Sequence, residues 1–359
     1  MSHAELDIRT AIPLSAYTTI GIGGNARYFV SCRTPDEVYE ALSFAVQKRL
    51  RVHILGGGSN TIFGDAGFDG LVVKIEIRGL SFSERGDSVY IRAGAGEEWD
   101  RLVQTCVDRK LTGIECLSGI PGMVGATPIQ NVGAYGQEVG ETIVRLKTLD
   151  RRTMDAVEFT GAECGFGYRM SRFKTEYAGK FVITEVEFRL AREAKPEIRY
   201  PELQALLDSS RQKTASPDGA VTPSSIRAAV LALRRKKSMV IDPADPNTKS
   251  VGSFFMNPVV SPERLREAQE TWERWGGKGP LPTYPAGENL KIPAAWLVEH
   301  AGYRKGYRKG AVGVSENHSL ALVNRGGTAR ELLDLADEIQ EAVAAKFSLR
   351  LEREPVVVT

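Results

Sequence analysis

Apolar positions change period twice in the first fifty-five residues. The run 26–32, ARYFVSC, has the length and β-rich character of a strand. Thr34-Pro35-Asp36-Glu37 then supplies an N-cap, a proline in the first turn and a capping-box glutamate. Val38, Ala41, Leu42, Ala45 and Val46 follow at helical spacing, so they predict one helix with one buried stripe. A second strand is predicted at 51–55, RVHIL, which closes a β-α-β unit and runs directly into a glycine turn.

Further strands are predicted near 69–75 and 88–94, then a helix at 97–109 with Trp99, Leu102, Val103, Cys106 and Val107 on one face. Residues 141–190 read as strands and turns, ending in KFVITEVEFRL, whose two alternating sets predict burial on both faces. The polar stretch 208–223 is the best loop or linker. Helices follow near 224–237, 262–275, 293–301 and 329–346; Thr328 and Glu331 form a capping box for the last. An apolar strand, LEREPVVV, closes the chain. The order of elements is that of an α+β protein.

Size and charge narrow the function classes. A chain of 359 residues holds two or three domains, with 42% hydrophobic and 26% charged residues as in ordinary globular proteins. Lys+Arg 47 against Asp+Glu 45 leaves a net charge of +2, too little to imply nucleic acid or a membrane surface as partner. No signal peptide or membrane-length apolar run is visible. Cys32, Cys106, Cys116 and Cys164 are widely spaced with no CxxC pair, which predicts reduced, buried thiols in a cytoplasmic protein and no metal site.

Candidate chemistry lies in three glycine-rich segments, TTIGIGGNA (18–26), LGGGSN (55–60) and GIPGMVGATPIQNVGAYG (119–136). Gly56, Gly57 and Gly58 let the backbone approach a ligand closely; their N–H groups, with Ser59 and Asn60, form a candidate pyrophosphate nest. Neither a P-loop nor a Rossmann GxGxxG is present. Alone, the 55–60 stretch reads as an ordinary turn. With the other two segments it fits one extended dinucleotide, of the size of FAD, lying across a groove.

A second candidate is Ser253 in SVGSFFMNP. None of the four histidines lies within forty residues of it, and no GxSxG surrounds it, so an activated nucleophile is a poor reading.

The set TIGIGGNA, LGGGSN, SGIPGMVGATPIQNVGAYG, FGYRMSRFK, VGSFFMNP and LEREPVV resembles the UDP-N-acetylenolpyruvoylglucosamine reductase family, in order, over residues 15–358. The N-terminal part is shared more loosely with flavin oxidases of the vanillyl-alcohol-oxidase fold. The resemblance implies a two-subdomain FAD-binding fold of that type plus a C-terminal α+β substrate-binding domain. Residues 1–80 with strand 349–359 would form the first FAD subdomain, 81–237 the second, and 238–348 the substrate domain. It also implies non-covalent FAD, since Ser59-Asn60 stand where some oxidases carry a flavin-linked histidine. Gly56, Gly57, Gly58, Ser59, Asn60, Gly122, Gly125, Asn131 and Gly133 become the cofactor-binding set.

By the same resemblance the reaction reduces an enolpyruvyl ether to a lactyl ether, with NADPH as reductant and UDP-N-acetylglucosamine enolpyruvate as substrate. Ser253 then donates a proton to a carbanionic carbon, which needs no histidine, and Arg169 and Glu354 complete the catalytic set. Arg234, Lys237, Asn257 and Tyr200 match substrate-binding positions, Tyr200 being the tyrosine of a mobile lid in one subtype. The segment after Lys237 is two residues longer than the common family pattern, and Met256 stands where the family often has lysine. A monomeric cytoplasmic enzyme is the expectation. Two other classes stay open: an FAD-dependent oxidase on the same scaffold, and an inactive nucleotide-binding module.

Overall fold

The computed structural model describes residues 6–192, 196–214 and 221–359, and these form two compact units. The first comprises residues up to Ile12, Ala26–Gly57 and Asp69–Lys236; the second comprises Pro13–Asn25, Gly58–Phe68 and Lys237–Thr359. This partition does not coincide with the three sequential parts expected. The segments 13–25 and 58–68 leave their sequence neighbours and join the C-terminal third.

In the first unit, helix α1 (Pro35–Gln47) starts where its sequence requires: Thr34 Oγ accepts from the Glu37 N–H at 3.1 Å. Val38, Ala41, Leu42 and Ala45 are buried, but Val46 is 66% exposed. At 3.6 residues per turn, position 46 lies roughly 80° round from position 38. That places it at the stripe's solvent edge. The helix joins the second and fourth strands of a sheet ordered Arg9–Pro13, Asn25–Cys32, Phe68–Ile75, Arg51–Leu55, in which Phe68–Ile75 and Arg51–Leu55 pair in parallel.

The unit's second sheet is antiparallel, in the order Ala156–Thr160, Ile143–Asp150, Phe181–Arg192, Ser88–Gly94, Leu80–Arg85. The central strand buries Val182, Ile183, Thr184, Val186, Glu187 and Phe188, hence its two-sided apolar sequence. Helix α2 (Trp99–Asp108) packs Trp99, Leu102, Val103, Cys106 and Val107 into the same core, and the Trp99 indole N–H donates to the Leu117 carbonyl at 3.0 Å. Two further helices, α3 (Pro201–Thr214) and α4 (Pro223–Lys236), share a small core of Leu203, Leu207, Ile226, Val230 and Leu233 with Cys116. The expected 208–223 linker is therefore shorter than its composition suggests, since α3 runs through 214; residues 215–220 of it lie outside the described residues.

The second unit holds α5 (Pro262–Arg274), α6 (Ala294–Ala301) and α7 (Ala329–Phe347). Thr328 and Glu331 form the predicted capping box of α7. Asp65, from the inserted segment, adds a second cap by accepting from the Ala329 N–H at 2.8 Å and the Arg330 N–H at 3.0 Å. Only Val356–Val358 of the closing segment is strand, pairing in parallel with Thr61–Phe63. Among the described residues no helix is long and apolar enough to cross a membrane, and no cluster of three or more acidic, His or Cys residues could hold a metal.

Burial sets two measurable properties of the first unit. All four cysteines are buried with no disulfide, and burial pushes each thiol up to about 12. A thiol reagent at pH 8 should label none of them in the native protein and all four after unfolding. Rapid native labelling would contradict that packing.

His53, on the strand Arg51–Leu55, is lowered to about 4 from 6.5 by burial, aided by Arg151. The fold therefore holds it neutral, while the unfolded chain takes up a proton as pH falls below the ordinary value. Its contribution is present above pH 6.5 and is lost as pH falls towards 4; it amounts to on the order of 2–3 kcal/mol. Unfolding free energies for His53→Gln should vary less with pH across that window than those of the parent. Parallel profiles would refute the assignment.

Candidate active site

The 55–60 turn meets another glycine-rich segment at each of its ends. In the first unit, Gly57 abuts Gly122, so closely that a Cβ on Gly57 would lie 2.9 Å from the Gly122 Cα. In the second unit, Gly58 has φ +62°, and a Cβ there would lie 2.0 Å from the Tyr17 carbonyl oxygen; the Gly58 carbonyl in turn accepts from the Thr19 N–H at 3.2 Å. Side chains are excluded on both sides, so the turn presents backbone. Among the described residues neither the Gly57 nor the Gly58 N–H has a hydrogen-bond partner, although Gly58 is buried. Buried N–H groups are seldom left unpaired, and two consecutive donors suit a pyrophosphate. These residues fit the dinucleotide expected from the sequence.

The remaining expected cofactor positions divide by what they touch. Gly125 packs on Ala95, and Gly133 lends its carbonyl to Arg169. Asn131 is 2% exposed and held at φ 47°; its amide donates to Glu138 at 2.6 Å and to the Gly167 carbonyl at 3.0 Å, and its Oδ1 accepts from the Gly140 N–H at 2.8 Å. The Asn131 side chain thus braces the loop that carries Gly133. Arg169 has φ 54°, and its guanidinium donates to the Gly133 carbonyl at 2.8 Å. It belongs to the first unit and is half-buried.

Ser253 and Glu354, 101 residues apart, come together in the second unit. The residue between them is Phe254, whose N–H donates to the Leu320 carbonyl at 2.7 Å and whose carbonyl accepts from the Glu354 N–H at 2.9 Å. Phe254 and Phe255 are fully buried and pack edge-on at 5.2 Å, which pins this backbone. Asn60 holds the other side: its amide donates to the Glu354 carbonyl at 3.2 Å, and its carbonyl accepts from the Val356 N–H at 2.9 Å. Arg353 is tied to α7 through Gln340 at 2.9 Å and Asp337 at 2.6 Å. Asn60, Ser253 and Glu354 are thereby one local assembly within the second unit. The Ser253 hydroxyl is half-buried and makes no hydrogen bond among the described residues. Ser59, next to this assembly in sequence, is half-buried as well.

The expected substrate positions fall in several places. Tyr200 is exposed and sits edge-on to Tyr135 at 5.2 Å, just before α3. Arg234 is 8% exposed rather than part of a solvated basic helix end; burial lowers its pKa, with Tyr135 and Asp100 pulling the other way. Arg235 and Lys236 are exposed, and Lys237, the first residue of the second unit, is half-buried. Asn257 spends its Oδ1 on the Ala294 N–H at 2.8 Å, at the start of α6. Sequence reading passes over Asp100 and Arg227, which form a bidentate pair in the first unit at 2.5 and 2.8 Å. Each looks like a surface charge on its own helix, and no local pattern couples positions so far apart.

Comparison with known proteins gives two family matches. The FAD binding domain family matches residues 26–153, and the UDP-N-acetylenolpyruvoylglucosamine reductase C-terminal domain family matches residues 243–358. A UDP-N-acetylenolpyruvoylglucosamine reductase of Thermobifida fusca (strain YX) is 45% identical over 97% of this chain and 97% of its own length. One of Salinispora arenicola (strain CNS-205) is 44% identical over 96% of this chain and 94% of its own. The crystal structure of the Thermus caldophilus reductase shares the fold at a TM-score of 0.64, covering 99% of each chain at 23% identity. With an FAD-binding part, the matching C-terminal domain and full-length relatives at this identity, the chain belongs to the UDP-N-acetylenolpyruvoylglucosamine reductase family of FAD-dependent oxidoreductases.

Proposed function

We propose that the chain reduces UDP-N-acetylglucosamine enolpyruvate to UDP-N-acetylmuramate, the family's step in peptidoglycan precursor synthesis, with Ser253 as proton donor and Arg169 and Glu354 as its catalytic partners. The observation that carries this reading is the Ser253 hydroxyl, half-buried, without a hydrogen bond among the described residues, and fixed by the same backbone bonds that fix Glu354. FAD, which the Gly56–Asn60 turn would hold, would supply hydride-transfer chemistry to the enolpyruvyl group, with NADPH as its reductant.

Negative charge then develops on the carbon next to the ether oxygen and on its carboxylate. Arg169 stays charged at any working pH and meets that carboxylate with its planar fork. Ser253 gives its proton to the carbon and recovers one from water, so no histidine is needed. Glu354, braced by Asn60 and by the Phe254 carbonyl, orients the reacting group. Gly56–Asn60 and Gly122 cradle the cofactor, with Asn131 bracing the loop of Gly125 and Gly133. Tyr200 closes over the substrate as a lid and excludes water. Four buried thiols suit the reducing cytoplasm in which NADPH and the UDP-sugar are available.

In this reading Arg234 and Lys237 hold the diphosphate. The double variant Arg234→Ala/Lys237→Ala should raise the substrate KM about tenfold to a hundredfold while flavin content stays unchanged, as expected for charge-assisted phosphate contacts. Equal loss of flavin would reassign both residues to folding. Reoxidation separates the oxidase alternative: the reduced protein should respond rapidly to the UDP-sugar and slowly to oxygen. The reverse order would assign an oxidase.

A further inference from the structure

Helix α4 carries two buried arginines on one face, Arg227 and Arg234, each 8% exposed and seven residues apart. Seven residues are two helical turns, so both point into the same packing layer as Ile226, Val230 and Leu233. A carboxylate meets them there. Asp100, in the first turn of α2, accepts from Arg227 Nη1 at 2.5 Å through Oδ1 and from Nη2 at 2.8 Å through Oδ2. Its Oδ1 also accepts from the Gly119 N–H at 2.5 Å, at the start of the third glycine segment. Arg227 Nε donates to Gln104 Oε1 at 2.6 Å, one turn further along α2. All three Arg227 side-chain nitrogens and both Asp100 oxygens are thereby engaged.

Both guanidinium groups act on this carboxylate, and the bidentate geometry decides which arginine takes it. Burial alone would raise the Asp100 carboxyl, but the Arg227 hydrogen bonds and the Gly119 N–H hold it below its ordinary value, with Arg234 contributing through its charge. Arg234 is therefore within electrostatic reach of a carboxylate that another residue occupies. An arginine whose task is to meet a substrate anion loses that task if a fixed carboxylate takes its fork.

We propose that Arg227 and Asp100 are positioning residues for substrate binding: Arg227 engages both oxygens of Asp100, docks α4 on α2 and the 119–125 segment, and keeps the carboxylate from capturing Arg234. The inference rests on Arg234 binding the substrate diphosphate. It predicts that removing Arg227 alone is worse than removing the whole pair. With Arg227 gone, the Asp100 carboxylate turns to Arg234 and competes with the substrate. With Asp100 changed to Asn as well, the side-chain oxygen still accepts from Gly119, yet no charge remains to compete.

The test uses flavin-loaded enzyme and the kinetics of UDP-N-acetylglucosamine enolpyruvate reduction. Arg227→Met should raise the substrate KM about tenfold, as for loss of a buried charged contact. Its kcat and flavin content should stay within about twofold, the split expected when binding rather than chemistry is affected. The double variant Asp100→Asn/Arg227→Met should return KM to within about threefold of the parent, a sign of coupling that plain loss of helix docking cannot give. An unchanged KM in Arg227→Met, or a double variant as impaired as the single, would overturn the proposal. Should Arg227→Met fail to fold, Arg227→Gln takes its place: a raised KM that Asp100→Asn restores supports the proposal, and an unchanged or unrestored KM refutes it. Arg234→Ala, measured alongside, separates the two claims. If Arg234→Ala leaves KM unchanged, the diphosphate assignment has failed; if it raises KM while Arg227→Met does not, only the inference has failed.

Discussion

Ser253→Ala should yield a protein that folds, holds FAD and is reduced by NADPH at an ordinary rate, yet is reoxidised by the UDP-sugar slower by two to four orders of magnitude. The magnitude is about that of losing a positioned general acid, roughly 10²–10⁴-fold. The fold should tolerate the change because the hydroxyl makes no hydrogen bond among the described residues, while the buried phenyl rings of Phe254 and Phe255 and the backbone bonds to Leu320 and Glu354 hold the segment in place. Stopped-flow absorbance at the flavin bands measures the two half-reactions separately. A variant that turns over normally removes Ser253 from the mechanism, and one that has lost its flavin shows the serine to be structural.

Gly58→Ala should abolish flavin binding. Its backbone lies at φ +62°, and the new Cβ would meet the Tyr17 carbonyl at 2.0 Å, a backbone atom that cannot swing aside. The left-handed conformation costs about 1–2 kcal/mol for alanine and the clash about 1–3 kcal/mol more. Relief of both strains should move the Gly57–Gly58 N–H pair, the donors proposed for the pyrophosphate. The purified variant should be colourless. Gly79→Ala is the control, because Gly79 also has positive φ (+136°) but nothing lies within 4 Å of its Cβ position. That variant should keep its flavin. Normal flavin content in Gly58→Ala would show that the turn does not hold the cofactor.

What the sequence discloses follows the range of the interactions involved. Helix α1 is legible because its cap is local: Thr34, Pro35 and Glu37 lie within four residues, and Thr328 with Glu331 announce α7 in the same way. Helix α3 is hidden because its apolar stripe is thin, with Leu203 and Leu207 buried among polar neighbours, so its composition reads as a linker. The grouping of 13–25 and 58–68 with the C-terminal third rests on long-range pairings such as Asp65 with Ala329, 264 residues away, and Val356 with Thr61. Propensity and period carry no trace of those.

The candidate site divides along the same line. Ser253 and Glu354 stand out in the sequence because each sits in a recognisable motif, and their pairing through Phe254 then appears in the second unit. Arg234 lies on the helix its sequence predicts, but its burial is not foreseeable: the run Arg234-Arg235-Lys236-Lys237 looks uniformly solvated until α3 and the small core around Cys116 are in place. Asp100 and Arg227 have no motif at all, and their pairing across 127 residues appears only in three dimensions.

The most direct test of the central claim is a crystal structure of Ser253→Ala holoenzyme with FAD and the enolpyruvyl substrate bound, a complex this variant should trap. The account predicts the methyl group of residue 253 beside the carbon next to the ether oxygen, where a restored hydroxyl would lie about 3 Å from it, with the Arg169 guanidinium on the substrate carboxylate and Glu354 against the same group. An enolpyruvyl group bound away from Arg169, residue 253 and Glu354 would contradict it.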